Sequence, residues 1–108
     1  FRADDAGAFP GLTAGSLRAA RADRVRNLSV MVPPPHFAAA ARELAALPPT
    51  VELGLHVTLN CEWLGLRWRP CAPAAEVPAL VDAEGYFRFA TPNEIHAAAV
   101  PVAQLMIE

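Results

Sequence analysis

Residues 51–60, VELGLHVTLN, alternate apolar and other side chains with a period of two. Val51, Leu53, Leu55, Val57 and Leu59 share one face, and Glu52, Gly54, His56 and Thr58 share the other. A helix cannot put residues two apart on one side, so the pattern predicts a strand. One side of that strand is apolar and calls for a covering layer. The opposite side carries His56 near the carboxyl end.

The residues before this strand supply candidate layers. VRNLSVMV, 25–32, is a compact apolar and β-branched run that reads as a buried strand, stopped by PPP at 33–35. Proline suits a first helical turn, where its missing N–H would have no partner anyway. HFAAAARELAAL follows, with Phe37, Ala40, Ala41, Leu44 and Leu47 on a three-four spacing that predicts a helix. LTAGSLRAARAD, 12–23, is Ala-rich with Leu12 and Leu17 at helical spacing and predicts a shorter one. The order strand, helix, strand, helix, strand predicts an α/β fold with parallel strands. Its helices should cover the apolar side of 51–59, leaving Glu52, Gly54, His56 and Thr58 toward a barrel or cleft interior. Residues 61–92 are richer in Pro, Trp and Arg, the character of a functional loop, with a short strand or turn near 82–89. Residues 93–108 read as helical, with Pro101 as a break.

Composition narrows the chemistry. The formal net charge is −2, which argues against nucleic acid as the main partner. All nine basic residues are Arg. The absence of Lys removes Schiff-base, P-loop and Ser/Lys mechanisms from these residues. Ser16 and Ser29 lack the surroundings of a nucleophile elbow. Cys61 and Cys71 do not form a CxxC pair and read as reduced thiols, which points to a cytoplasmic protein. No apolar run approaches the ~20 residues of a membrane span, so no membrane partner is expected.

The chemistry-bearing residues cluster near strand ends. RADDAG, 2–7, holds two adjacent carboxylates, Asp4 and Asp5. Such a pair can bind a metal through one carboxylate and keep the other as a base, or it can be a solvated turn that caps the next helix. His56 can be a structural strand residue or a metal ligand, and Gly54 beside it leaves room above the strand. In α/β folds reactive groups collect at the carboxyl ends of strands, which would bring Asp4, Asp5 and His56 to one rim. His36 suits the first turn of its helix, and His96 suits surface or packing. Trp63, Arg67, Trp68 and Arg69 in EWLGLRWRP can line a sugar-binding surface or pin a loop to its core.

Taken together, ADDAG at 3–7, NLSVMVPPPHFAAAA at 27–41, LGLHVTLNCEW at 53–63, RWRP at 67–70 and VPALVDAEGYF at 77–87 resemble the YdjC-like carbohydrate deacetylase family, which includes chitooligosaccharide deacetylases. The resemblance implies a TIM-like β/α barrel, with 1–108 a single domain that forms the N-terminal part of it. It implies one divalent metal ion (Zn, Mg, Mn or Co) held by one Asp and two His. Asp5 and His56 match two of these ligands, and Asp4 matches the general base. Trp63 and Arg67 are the candidate substrate-binding residues. The family's third ligand lies in a THxDxH-like strand that this sequence does not contain, and Ala6 stands where a bulky aromatic is usual. The implied activity is hydrolytic removal of N-acetyl groups from amino sugars or chitooligosaccharides, in a homodimer. A related ester or phosphate hydrolase, or a non-catalytic sugar-binding or assembly domain, is the alternative.

Overall fold

A computed structural model describes residues 1–63 and 65–89 of the chain. They divide into two compact units that meet between Thr58 and Leu59. The first contains β1 (Arg2–Ala6), α1 (Pro10–Arg21), β2 (Asn27–Val30), α2 (Phe37–Ala45) and β3 (Glu52–Leu55). The strands form one parallel sheet in the order β1-β2-β3. This is an incomplete α/β arrangement with parallel strands, as the alternation of strand and helix patterns predicts, and it is consistent with the partial TIM-like barrel that the family resemblance implies. The segment 93–108, with its predicted helix and His96, lies outside the described residues.

The helices form where the spacing puts apolar groups on one stripe. In α1 the buried residues are Thr13, Ser16, Leu17 and Ala20, a three-four repeat. Pro10 opens this helix. Leu12 falls off the stripe and is exposed. In α2 Ala40 and Leu44 are buried, with Phe37 and Leu47 packed beside them. These side chains meet Ala6, Leu28 and Val30 from the sheet to form the core of the first unit.

Strand register sorts the sheet into two faces. Ala3, Leu28 and Leu53 lie in one cross-strand row, and Ala6, Val30 and Leu55 lie in another. These rows face the helices. Arg2, Asn27 and Glu52 form a polar row on the opposite face, followed by Ser29 and Gly54. The helix-side rows are packed at β1 and β2 but open at β3. Leu53 is 47% exposed, Leu55 68% and Val57 53%. This departs from the expectation that helices cover the whole apolar side of 51–59. Among the described residues no α-helix follows β3. The strand is also shorter than its alternating pattern, since 56–60 leave the sheet.

Between Ala3 and Ala6 the β1 register slips. Ala3 pairs with Leu28 and Ala6 with Val30, so Asp4 and Asp5 together oppose Ser29. Two residues against one is a β-bulge, uncommon in a parallel pair. It is built on Asp5, whose φ of 63° is left-handed. Asp tolerates that region better than most residues because its short side chain bonds locally.

The second unit is mostly irregular. Among its described residues, Cys61, Trp68, Val81 and Phe87 are the buried apolar side chains. Val81 and Phe87 bridge antiparallel around a tight turn. In that turn Asp82 Oδ1 accepts hydrogen bonds from the Glu84 and Tyr86 amides. Gly85 closes it at φ 79°. The Trp68 amide donates to Cys61 Sγ, and both cysteines are free thiols, Cys61 buried and Cys71 exposed.

Candidate active site and family

The bulge decides where the two acids point. In an unbroken strand adjacent residues face opposite sides. Here Ala3 and Ala6 both pack toward the helices, so the pair between them is displaced toward the polar face. Asp4 is 45% exposed and pairs side-on with Arg2, at 2.8 Å (Nε to Oδ1) and 3.2 Å (Nη2 to Oδ2). Asp5 is more enclosed, at 29%.

His56 follows directly on β3, and its amide donates to the Val30 carbonyl at 2.9 Å. That bond holds the backbone of His56 to the carboxyl end of β2. Thr58 Oγ1 donates to the His56 carbonyl at 2.9 Å. The ring then turns so that Nδ1 lies 3.1 Å from Asp5 Oδ1. β1 and β3 are not neighbours, because β2 lies between them. Two strand spacings of about 4.8 Å separate their backbones in a flat sheet. The side chains therefore close the gap at the strand ends, beyond the Ser29–Gly54 row.

The contact between Asp5 and His56 is close but not aligned as a hydrogen bond. His56 Nδ1 is buried and has no hydrogen-bond partner among the described residues. A buried ring nitrogen without a partner is costly unless something else engages it. Two donors bound to one ion at ~2.0–2.2 Å stand roughly 3 Å apart, without needing to face each other. A carboxylate oxygen and an imidazole nitrogen suit a borderline divalent ion. The residues present thus fit a shared cation, although no group of three or more His, Cys, Asp or Glu side chains able to hold one occurs among the described residues.

Trp63 and Arg67 belong to the second unit. The Trp63 ring lies 5.6 Å from that of buried Trp68, tilted by 59°. Arg67 pairs with Asp82 and stacks on Tyr86 at 4.6 Å, and Arg69 stacks on the same ring at 4.2 Å. The loop is pinned by these contacts, while the Arg67 side chain keeps 46% of its surface open. His36 sits half-buried as the residue before α2, in the ordinary first-turn place expected of it.

Sequence reasoning did not single out Arg2 or Thr13. Arg2 stands two residues before Asp4, the same-face spacing of a strand, which is the signal that could have found it. Thr13 carries no such mark, because the turn whose Gly7 amide donates to its hydroxyl at 3.0 Å is visible only in three dimensions.

A sequence profile of the YdjC-like protein family matches residues 1–106. The chain belongs to the YdjC-like family. A carbohydrate deacetylase of Enterococcus faecalis (strain ATCC 700802 / V583) is 33% identical over 87 residues, which cover 81% of this chain and 32% of that protein. A crystal structure from Enterococcus faecalis V583, of a protein named provisionally for cellobiose-phosphate cleavage, superposes with a TM-score of 0.67 at 32% identity. It covers 82% of this YdjC-like chain and 32% of its own. The chain therefore spans about a third of the length of these two relatives. No helix among the described residues is long and apolar enough to cross a membrane.

Proposed function

We propose that the intact protein is a metal-dependent hydrolase that removes N-acetyl groups from amino sugars or chitooligosaccharide-like carbohydrates. The observation that carries this reading is the convergence of Asp5 Oδ1 and His56 Nδ1 to 3.1 Å without a hydrogen bond, with Asp4 on the adjacent bulge position. Family membership and the deacetylase relative support the reaction class.

Asp5 and His56 would hold one divalent ion, with Zn, Mn, Co or Mg as candidates. Such an ion supplies Lewis-acid polarisation of the acetamide carbonyl and lowers the pKa of water toward ~7. Asp4 is the general base in this scheme, and its exposure lets it reach water. Its pairing with Arg2 orients the carboxylate and is weak enough to release, since exposed ion pairs contribute only about 0–1 kcal/mol. Trp63 and Arg67 would contact the sugar, Trp63 by stacking and Arg67 by hydrogen bonds from its open edge. The protein acts as a homodimer in the cytoplasm on this reading.

The test is acetate release from N-acetylated chitooligosaccharides by the full-length protein, run beside phosphate release from sugar phosphates. Asp4→Asn should lower kcat by at least about 100-fold while divalent-ion binding persists. Full activity in that variant would remove Asp4 from the role of base. Phosphate release without acetate release would replace the deacetylase reading with the phosphate one.

A further inference from the structure

The turn that follows Asp5 is locked by one hydroxyl group. The Ala8 amide donates to the Asp5 carbonyl at 3.1 Å, closing a four-residue turn over 5–8. Gly7 is its third residue, with φ 94°, the left-handed value that a type II turn requires there. The Gly7 amide points inward and donates to Thr13 Oγ1 at 3.0 Å. The Thr13 hydroxyl in turn donates to the Phe9 carbonyl at 2.8 Å. Thr13 is 3% exposed. Phe9, the residue before α1, offers no side-chain cap of its own. The hydroxyl of Thr13, one turn into α1, thus fastens the loop to the helix from inside.

Space around the turn is equally restricted. A Cβ on Gly7 would lie 2.5 Å from the Met31 carbonyl oxygen, and the Met31 amide donates to the Ala6 carbonyl at 2.8 Å. The turn is therefore clamped between the end of β2 and the start of α1. Its first residue is Asp5, held at φ 63°. Left to itself, an L-residue drifts out of that region.

We infer that Thr13 is a positioning residue that keeps the Asp5 carboxylate aimed at His56, by fixing the turn that holds Asp5 in its left-handed conformation. This rests on the reading of Asp5 and His56 as ligands of a shared ion. Without the hydroxyl, the buried Gly7 amide loses its acceptor and the Phe9 carbonyl a donor. The turn then relaxes toward an arrangement that restores a partner, and Asp5 moves with it. Outer groups that orient a ligand typically change ion affinity 10–100-fold when removed.

The experiment is calorimetric titration of Zn²⁺ into the metal-free full-length protein, with thermal unfolding recorded for each variant. Thr13→Val keeps the shape and removes the hydroxyl, and should weaken Zn²⁺ binding at least about 10-fold. Thr13→Ser restores the hydroxyl and should bind within about threefold of wild type. Leu17→Ala removes core packing from the same helix without touching the turn. It should lower the unfolding temperature and leave the affinity unchanged. Thr13→Ala carries the same comparison if the Val variant does not fold. Zn²⁺ affinity unchanged in Thr13→Val, with loss in Asp5→Gly, overturns the positioning role alone. Affinity unchanged in Asp5→Gly, or no binding by wild type, overturns the site reading and the positioning role with it.

Discussion

Asp5 carries a candidate ligand group and sits in a backbone region that most L-residues avoid, a pairing found at ligand sites. The combination separates substitutions that would otherwise look alike. Asp5→Ala removes the carboxylate and leaves a Cβ at φ 63°, at a cost of about 1 kcal/mol. Asp5→Gly removes the same carboxylate without that penalty. We expect both variants to lose the divalent ion, and Asp5→Gly to unfold at the higher temperature of the two when metal-free. Calorimetry and thermal unfolding on the same preparations check this. Arg2→Ala, by contrast, should change the unfolding free energy by less than about 1 kcal/mol, because its pair with Asp4 is exposed. A shift of the pH–rate profile in that variant would connect Arg2 to the base.

At the scale of elements, the connections matter as much as the strands. The β1–α1 turn admits only Gly at position 7. Gly7→Ala combines a positive φ with a 2.5 Å contact to backbone, and should cost about 2–4 kcal/mol in denaturant unfolding. The other end of α1 uses a different solution. Asp23, at φ 55°, follows Ala22, its amide donates to the Ala20 carbonyl, and the Arg24 amide reaches back to Ala19. That pair of bonds is a Schellman ending, with Asp where Gly is usual. The side chain then pairs with Arg26. The hydrogen bond and the charge of Arg26 hold the Asp23 carboxyl below its ordinary value. A depressed acid contributes stability above its unfolded pKa and loses it as pH falls through the folded one. Urea unfolding of Asp23→Asn, which keeps tolerance for the left-handed backbone, should therefore show a shallower loss of stability at acid pH than wild type.

At the scale of the whole chain, the parallel α/β arrangement was legible because it rests on periodicity. The alternation in 51–59 and the three-four repeat of Phe37, Ala40 and Leu44 report directly which side each residue faces. Periodicity does not report whether the facing layer is present, and so Leu53, Leu55 and Val57 turned out open. The candidate site was legible as residue types at strand ends. Its bulge was not, because period two predicts that Asp4 and Asp5 diverge, and the slip that turns both acids to the polar face is a tertiary adjustment. Thr13 was hidden for the same reason: a hydroxyl in a helix stripe looks like any small buried residue. Removing divalent ions from the full-length protein with a chelator should abolish acetate release and lower the unfolding temperature. Adding back ion at 100 times its Kd should restore about 2.7 kcal/mol.

The sheet order has a consequence for how the chain folds. Asp4 and Asp5 lie within the first β–α–β segment, whereas His56 arrives one crossover later, after β3 has added to β2. The donor pair therefore exists only in molecules that have completed the three-strand sheet. A shared ion would tie β1 to β3 across the strand between them and act as a latch on the sheet. Stopped-flow kinetics locate that tie on the folding path: ion that slows unfolding and leaves refolding unchanged places it after the rate-limiting barrier, and ion that speeds refolding places it before.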